Sequence, residues 1–453
     1  MPTREKGFMP RRHENASEAK VLAARPRWRQ YVRAIGPGLI TGASDDDPSG
    51  IATYAQVGAR YGLTLLWAAL ATFPLMAAVQ EISDRTALAT GEGIGELAQK
   101  RFKRTGKYVV GTLLMILIFA NTLNIAADLV AIGAGMNLLR AGPTWVWALV
   151  SGGLISALLV KGTFAHIATV FRILASALVA YLVVMVVVTH NWSRLLFYAV
   201  VPHFQLNKTF IAMLLAVLGT TISPYLFFWQ SANRLEEMRE DLEGGDNPAP
   251  LKTRGRAGAK LKVRTSRFDV FSGMAFSNLV MFAIIATTAQ TLHVRHVVSI
   301  QGAAQAASSL RPFAGHFSSI IFAFGFIGSG LLAVPVLAAS GSVGLSGLLG
   351  KDWGFSRSVK KAPLFYALVG VGTIGGTVLS LLNVNPIRLL VFVAVMNGVI
   401  AAPLLIVVMM VANNQRLMGV HVNGRLANTL GWLTVFIMAL ASVALFATGG
   451  ISL

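Results

Sequence analysis

The chain has 453 residues, of which 55% are hydrophobic and 13% are charged, and it carries a formal net charge of +20. Soluble domains have about 25% charged residues, so this composition excludes an ordinary soluble domain and indicates a polytopic membrane protein. The basic residues lie in segments between apolar runs, so we expect a lipid bilayer and no nucleic acid as a partner. The absence of cysteine excludes disulfides, thiolate metal sites and cysteine nucleophiles.

Eleven apolar runs are long enough to cross about 30 Å of hydrocarbon. Residues 1–32 precede them and are basic and polar, without the apolar core of a signal peptide, which predicts a cytoplasmic arm. The weakest division separates the fourth run from the fifth, where only residues 161–166, Lys-Gly-Thr-Phe-Ala-His, mark a turn. The predicted spans cover residues 33–59, 64–83, 108–138, 145–163, 167–190, 209–232, 269–291, 317–346, 362–382, 386–411 and 427–449.

The distribution of Lys and Arg predicts the orientation of these spans. With the N-terminus inside, about 32 of the 39 basic residues fall on the cytoplasmic side, as the positive-inside rule favours. An odd number of spans then places the C-terminus outside. The long polar segment 233–268 is rich in Gly, Pro and charge and predicts a cytoplasmic loop.

The first and the sixth predicted spans carry the same kind of interruption. Asp47 precedes Pro48 in the first span, and Ser223 precedes Pro224 in the sixth. Asp and Ser cap helix N-termini well, proline fits the first helical position, and the residue before proline avoids helical geometry. Each span is therefore predicted to be a helix that stops and restarts, and a simple proline kink is the alternative for either.

If these two spans correspond, the chain contains two five-span repeats, 33–190 and 209–411, followed by an extra helix over 427–449. The second repeat includes the cytoplasmic loop and is inverted, because five is an odd number of crossings. Inverted repeats with interrupted helices indicate a binding site near the membrane midplane of a secondary transporter. Unwound backbone at that depth is tolerated only where it lines a cavity or is buried in protein.

Acidic residues inside the membrane are the main candidates for a cation site. Asp45, Asp46 and Asp47 stand together at the first break, where each carboxylate costs about 2.5–3.5 kcal/mol on insertion scales. Asp47 is the strongest candidate ligand, and helix capping is its alternative role. Asp45 and Asp46 are either ligands or attract cations electrostatically from a water-filled vestibule. Asp128 lies in the third span on a predicted ion or proton path, with a structural hydrogen bond as the alternative.

Hydroxyl groups at the second break are further candidates. Thr221 and Ser223 offer hydroxyls to a bound ion or to its water molecules, and hydrogen bonding back to a helix carbonyl is the alternative. Mid-span amides such as Asn124 are interpreted mainly as contacts between helices.

These motifs resemble those of the Nramp family of divalent metal transporters, over the whole chain in span number, orientation and the paired breaks. Residues 47–50 read Asp-Pro-Ser-Gly where the family has Asp-Pro-Gly-Asn. Residues 223–226 read Ser-Pro-Tyr-Leu where the family has Met-Pro-His followed by Asn, and 128–131 read Asp-Leu-Val-Ala where it has Asp-Leu-Ala-Glu. The resemblance implies an all-α membrane protein with a LeuT-like five-plus-five inverted repeat, in which helices 1 and 6 are broken.

The resemblance also implies a set of ion ligands with two departures. Asp47 is retained, and the backbone carbonyls of Ser44 and Thr220 match positions where exposed backbone faces the ion. Gly50 replaces an asparagine ligand, and Ser223 replaces the methionine thioether. Thioethers favour softer metals, whereas carboxylate, carbonyl and water suit Mg²⁺ and Mn²⁺. The pattern is most similar to the Nramp-related magnesium transporter branch and predicts a wider site for a partly hydrated ion.

Two further departures bear on proton coupling. Tyr225 replaces the family's histidine, and Ala131 replaces its glutamate. In the family, that histidine and that glutamate are associated with proton movement. We therefore expect secondary transport or facilitated uptake of Mg²⁺ and Mn²⁺ without obligatory proton coupling, with Asp128, Gly50 and Tyr225 along the path. A proton-coupled Mn²⁺/Fe²⁺ importer is the alternative, and an amino-acid transporter of the same architecture is disfavoured by the acids at the break.

No phosphate-binding loop, His-Glu-x-x-His motif or supported Ser/His/Asp arrangement is present in the sequence. We therefore expect no enzymatic activity and no cofactor, the divalent ion being the substrate. The expected location is the cell membrane, and the sequence leaves the oligomeric state open.

Overall fold

The computed structural model describes residues 41–42, 44–161, 177, 179–205, 207–240, 248–253, 256–382 and 385–449. Among these residues the regular structure is entirely helical. The predicted arm 1–32, residues 162–166 of the predicted turn, and residues 167–176 and 178 of the predicted fifth span lie outside the described residues.

Fourteen helices of eight or more residues are numbered here in chain order. Short helices also occur at Ala303–Ala307, Arg311–Ala314 and Gln415–Met418. The numbered helices are α1 Pro48–Tyr61, α2 Trp67–Thr90, α3 Ile94–Arg101, α4 Arg104–Leu138, α5 Thr144–Lys161, α6 Val179–Val188, α7 Trp192–Val200, α8 Lys208–Thr221, α9 Pro224–Glu240, α10 Arg256–Thr291, α11 Ser318–Leu348, α12 Pro363–Ser380, α13 Pro386–Ala412 and α14 Arg425–Ala447.

Eight helical segments of the described chain are long and apolar enough to cross a membrane, and each coincides with a predicted span. They comprise α4, α5, the α8–α9 pair, α10, α11, α12, α13 and α14. The predicted second span is the helix α2, whose last turns carry Glu81, Asp84 and Arg85. Only α1 and the segment just before the break represent the first predicted span, and α6 represents part of the fifth.

The predicted cytoplasmic loop 233–268 contains more helix than its composition indicates. Helix α9 continues to Glu240, and α10 already begins at Arg256. Ion pairs at i,i+3 spacing support the extension of α9, between Arg234 and Glu237 and between Arg239 and Glu236. Charged side chains therefore accompany helix beyond the apolar part of the span.

Packing fixes the two interrupted helices against their neighbours. Helix α1 packs on α10 and α13, while α8 packs closely along α13. A Cβ atom on Gly219 would lie 2.2 Å from the Ala394 carbonyl oxygen, and one on Gly398 would lie 2.7 Å from the Leu215 carbonyl oxygen. Glycine at both positions allows the close approach that holds the end of α8 in place.

Candidate ion-binding site between the broken helices

The first break lies at Asp46 and Asp47, as the sequence predicts. Helical geometry ends at Asp45, Asp46 forms a bend, and α1 begins at Pro48. Asp47 has extended backbone geometry, with φ −66° and ψ 168°, and caps α1. Its Oδ1 accepts hydrogen bonds from the Gly50 amide at 2.7 Å and from the Ser49 hydroxyl at 2.6 Å. Asp47 therefore caps α1, and it uses one of its two carboxylate oxygens to do so.

The second oxygen of Asp47 faces two other helices. Its Oδ2 accepts from Asn124 Nδ2 of α4 at 3.2 Å and from the Tyr225 hydroxyl of α9 at 3.3 Å. Asp47 is 1% exposed, so four donors surround a carboxylate that bulk water does not reach. Tyr225 thus contacts the principal candidate ligand directly.

The second break ends α8 at Thr221 and begins α9 at Pro224. The Ser223 hydroxyl donates to the carbonyl oxygens of Thr220 at 2.7 Å and Gly219 at 3.0 Å, and the Thr221 hydroxyl donates to the Val217 carbonyl at 2.7 Å. Both hydroxyls therefore donate back to helix carbonyls, which is the alternative role that the sequence left open. Each hydroxyl oxygen retains lone pairs, so its back-bond leaves it able to accept a cation or a water proton.

The two breaks face each other across a short distance. The hydroxyl oxygens of Ser49 and Thr220 lie 3.5 Å apart, and the Tyr54 hydroxyl lies 3.2 Å from Thr221 Oγ1. At this junction α8 presents its C-terminal, carbonyl-bearing end, which attracts cations. Asp47 and the carbonyl of Thr220 therefore lie at the same junction.

Asp45 and Asp46 face a different helix from Asp47. The Ser277 hydroxyl of α10 lies 2.7 Å from Asp45 Oδ2 and 3.2 Å from Asp46 Oδ1. Asp45 Oδ1 and Asp46 Oδ2 are buried without a hydrogen-bond partner among the described residues. These two acids are 0% and 1% exposed, so the structure does not place them in an open vestibule.

Asp128 lies one helical turn beyond Asn124 on α4. Both of its carboxylate oxygens, and the side-chain oxygen of Asn124, are buried without a hydrogen-bond partner in the described part of the chain. Within the described ranges, Asp128 therefore does not form the structural hydrogen bond considered as its alternative role. The i,i+4 spacing puts both residues on one face of α4, toward Asp47 and Tyr225.

Gly50 does not widen the site, although the resemblance to the Nramp motif predicts that it should. A Cβ atom at this position would lie 3.2 Å from Thr220 Oγ1, 3.3 Å from the Asp45 carbonyl oxygen and 3.3 Å from the Tyr54 ring. Glycine here allows the start of α1 to approach α8 closely. Ser44 is fully buried in the last helical turn before the break.

Four residues at the site are not among the ligands predicted from the sequence, and Asn124 is predicted there mainly as a contact between helices. Asn124, Tyr54 and Ser277 all make contacts there, and Met281 of α10 places its sulfur 3.6 Å from Thr221 Oγ1. Of these residues, only Asn124 could be placed at the site from the sequence, because it lies four positions before Asp128 on the same predicted helix. Among the described residues, no three His, Asp or Glu side chains are arranged to hold a metal ion together. Any ion here would thus depend on hydroxyls, carbonyls and water as well as on carboxylate.

Two interrupted helices with buried polar groups at their junction, within a helical membrane bundle, define the class of membrane transporters with a LeuT-like fold. The solved structure of the transporter Mhp1, of the nucleobase-cation-symport-1 family, shares this fold, with a TM-score of 0.51 and 14% identity over 92% of this chain and 91% of that one. The manganese transporter of Eremococcus coleocola, solved with an aromatic bis-isothiourea substituted compound, matches with a TM-score of 0.68 and 15% identity over 93% of this chain and 87% of that one.

Sequence comparison defines the family within this class. The family model for natural resistance-associated macrophage protein-like sequences matches residues 38–448, and the chain belongs to this Nramp family. The divalent metal cation transporter MntH of Klebsiella pneumoniae subsp. pneumoniae is 25% identical over 429 residues, covering 93% of this chain and 96% of the relative. The MntH of Deinococcus radiodurans is 26% identical over 445 residues, covering 95% and 94% of the two chains.

Proposed function

We propose that the protein transports divalent metal ions across the membrane by alternating access, with the ion bound between the two broken helices. The position of Asp47 is the observation that carries this proposal. Its carboxylate joins α1, α4 and α9 at a junction where the carbonyl end of α8 also points. Membership in the Nramp family, and relatives named as divalent metal cation transporters, support the same conclusion.

The proposed substrates are Mg²⁺ and Mn²⁺, bound with part of their water shell. The groups at the junction are carboxylate, hydroxyl and carbonyl oxygens, which suit these ions better than soft metals. Mg²⁺ is usually held in proteins by one or two carboxylates and keeps several waters, which fits Asp47 as the principal carboxylate ligand with Asp128 on the facing side of α4. The thioether of Met281 lies 3.6 Å from Thr221 Oγ1, so one soft group does contact the second break.

The ion preference can be tested by isothermal titration of the purified protein with Mg²⁺, Mn²⁺, Cd²⁺ and a panel of amino acids. We expect heat from Mg²⁺ and Mn²⁺ and none from the amino acids. Ser223→Met should raise the affinity for Cd²⁺ relative to Mg²⁺, because it adds a thioether beside the second break. Met281→Leu is the matched variant and should leave Mg²⁺ binding unchanged. If Met281→Leu abolishes binding of all the ions, the thioether is an essential ligand and the hard-site assignment is wrong.

Transport is proposed to proceed without obligatory proton coupling. Coupling needs a titratable group near the ion, and histidine has the ordinary pKa best suited to that role. Tyr225 stands where the resemblance implies a histidine, and it donates a hydrogen bond to Asp47. Ala131 stands where the resemblance implies a glutamate. The buried, unpaired carboxylate of Asp128 favours the second candidate function, a proton-coupled importer of Mn²⁺ or Fe²⁺.

A pH-sensitive dye inside proteoliposomes distinguishes these two functions. With the membrane voltage clamped, uptake of Mg²⁺ or Mn²⁺ should leave the lumenal pH unchanged. Acidification that follows metal uptake and disappears in Asp128→Asn would establish proton coupling through Asp128 instead.

The proposed location is the cell membrane, with the N-terminus cytoplasmic and the C-terminus outside. The excess of basic residues in the predicted cytoplasmic segments supports this orientation. Labelling of single cysteines introduced at Lys361 and Arg388, in a chain that has no cysteine of its own, would test it. A membrane-impermeant reagent added outside intact cells should label the second position and not the first.

A further inference from the structure

A basic surface lies at the predicted cytoplasmic end of helices α4 and α12. One part is the connection from α3 into α4, where five basic residues occur within eight positions, 100–107. The other part is the loop from α11 to α12, where Lys351, Arg357, Lys360 and Lys361 stand within eleven positions, 351–361. Both segments enter helices that the described structure identifies as membrane spans.

The two segments meet at the end of α11. Gly350 packs against the Gln99 side chain of α3, and Trp353 packs against Gly93 just before α3. Helix α3 itself packs along α11, and α4 contacts both α11 and α12. The cations of the two segments therefore form one surface on the folded protein, although residues 108–350 separate them in sequence.

Most of these cations have no acidic partner. Lys100 pairs with Glu92 and Arg357 pairs with Asp352. Among the described residues, no carboxylate lies within ion-pair distance of the remaining seven, which are Arg101, Lys103, Arg104, Lys107, Lys351, Lys360 and Lys361. Such a concentration of positive charge attracts anions, and it is most effective next to a negatively charged membrane surface.

The adjoining surface of the helices is apolar and exposed. On α4 the side chains of Tyr108 and Val109 are 66% and 57% exposed, directly after the cations, and Phe119 further along is 59% exposed. On α12, Val371 and Ile374 are 60% and 63% exposed. Exposed apolar side chains on spanning helices face lipid chains, and tyrosine is enriched at the head-group level. The cations thus lie at head-group level beside surfaces that accommodate acyl chains.

We propose that this surface, formed by residues 100–107 and 351–361, binds the head group of an anionic phospholipid of the inner leaflet. The phosphate and any further negative charge of the lipid contact the seven unpaired cations, and its acyl chains lie along α4 and α12. The chemistry that selects the lipid is the net negative charge of its head group, so a zwitterionic phospholipid of the same chain length binds weakly.

Native mass spectrometry of the purified full-length protein with added phosphatidylglycerol or phosphatidylcholine tests the proposal. The test variant combines Lys103→Ala, Arg104→Ala, Lys360→Ala and Lys361→Ala. Its matched control combines Arg140→Ala, Arg194→Ala, Arg311→Ala and Arg388→Ala, which removes the same charge from the predicted outer face. Each interfacial cation contributes about fivefold to the affinity for an anionic membrane lipid.

We therefore expect the test variant to lose at least about tenfold in apparent affinity for phosphatidylglycerol, and the control to lose less than about twofold. Neither variant should change the weak retention of phosphatidylcholine. Equal losses in the two variants, unchanged binding in the test variant, or equal binding of both lipids by the unmodified protein would overturn the proposal. Should the fourfold variant fail to fold, Lys103→Ala with Arg104→Ala, compared with Arg311→Ala with Arg388→Ala, gives the same discrimination with a smaller loss.

Discussion

Removal of the Arg234 guanidinium should destabilise the protein more than removal of any exposed cation. Arg234 is 2% exposed and lies in the second half of α9. Its Nε lies 2.7 Å from Asp84 Oδ1 of α2, its Nη2 lies 3.1 Å from Asp269 Oδ2 of α10, and its Nη1 lies 2.5 Å from Glu237 Oε2. Asp84 and Asp269 are themselves 1% and 0% exposed, so one guanidinium holds two buried carboxylates from two other helices.

The expected size of the effect follows from this burial. Removal of one partner of a buried ion pair costs about 3–5 kcal/mol, because the other charge is left buried and uncompensated. An unfolding entropy of about 2.1 cal/mol/K per residue over 453 residues gives roughly 1 kcal/mol/K. Arg234→Met should therefore lower the midpoint of thermal unfolding in detergent by about 3–5 °C.

Lys100→Met is the matched control, because Lys100 pairs with Glu92 at 2.5 Å but its side chain is 51% exposed. Such surface pairs contribute about 0–1 kcal/mol, so this midpoint should move by no more than about 1 °C. Replacement of Asp84 and Asp269 by leucine in the Arg234→Met background should restore part of the loss, because apolar groups can replace a buried ionic network. Equal shifts for Arg234→Met and Lys100→Met would refute the reasoning.

Two further predictions concern the site and the predicted cytoplasmic face. Gly50→Ala should weaken Mg²⁺ binding, measured by calorimetry, without unfolding the protein. The reason is that the new Cβ would lie 3.2 Å from Thr220 Oγ1 and 3.3 Å from the Tyr54 ring. Unchanged affinity for Mg²⁺ would show that the close approach of α1 to α8 is unimportant for binding. Glu96→Gln should raise the midpoint of thermal unfolding at pH 8, because burial raises the pKa of Glu96 above its ordinary value, while its contact with the Gly93 amide persists. Because its pKa is raised in the folded protein, Glu96 stabilises the fold when it is protonated at low pH, and this contribution is lost as the pH rises and the carboxyl ionises. The gain in the unfolding midpoint from Glu96→Gln should therefore vanish near pH 4. A gain of equal size at pH 4 and pH 8 would contradict the assignment.

The sequence was sufficient for the features that arise locally. Pro48 and Pro224, each after a good capping residue, marked both helix breaks, and the apolar runs located the spans that the described structure contains. The bounds of α9 and α10 were less predictable, because charged residues extend helices beyond the hydrocarbon without changing the apolar pattern. Orientation and the roles of the site residues stay predictions.

Contacts between distant helices could not be deduced from local pattern. Asn124 contacts Asp47 across 77 positions, and Ser277 contacts Asp45 across 232. Such pairs depend on which helix faces which, and one sequence does not encode that in any short motif. For the same reason the sequence predicts that Gly50 widens the site, whereas Thr220, Asp45 and Tyr54 surround this glycine closely.

Uptake of Mg²⁺ into proteoliposomes by Asp47→Asn tests the central claim most directly. Asparagine retains an oxygen that accepts from Ser49 and Gly50, so α1 stays capped, but the negative charge at the junction is lost. Asp352→Asn, in which an exposed carboxylate is changed in the same way, serves as the control. Uptake by Asp47→Asn should fall roughly tenfold or more, while the control transports normally. Undiminished uptake by a well-folded Asp47→Asn protein would contradict the assignment of the ion to this junction.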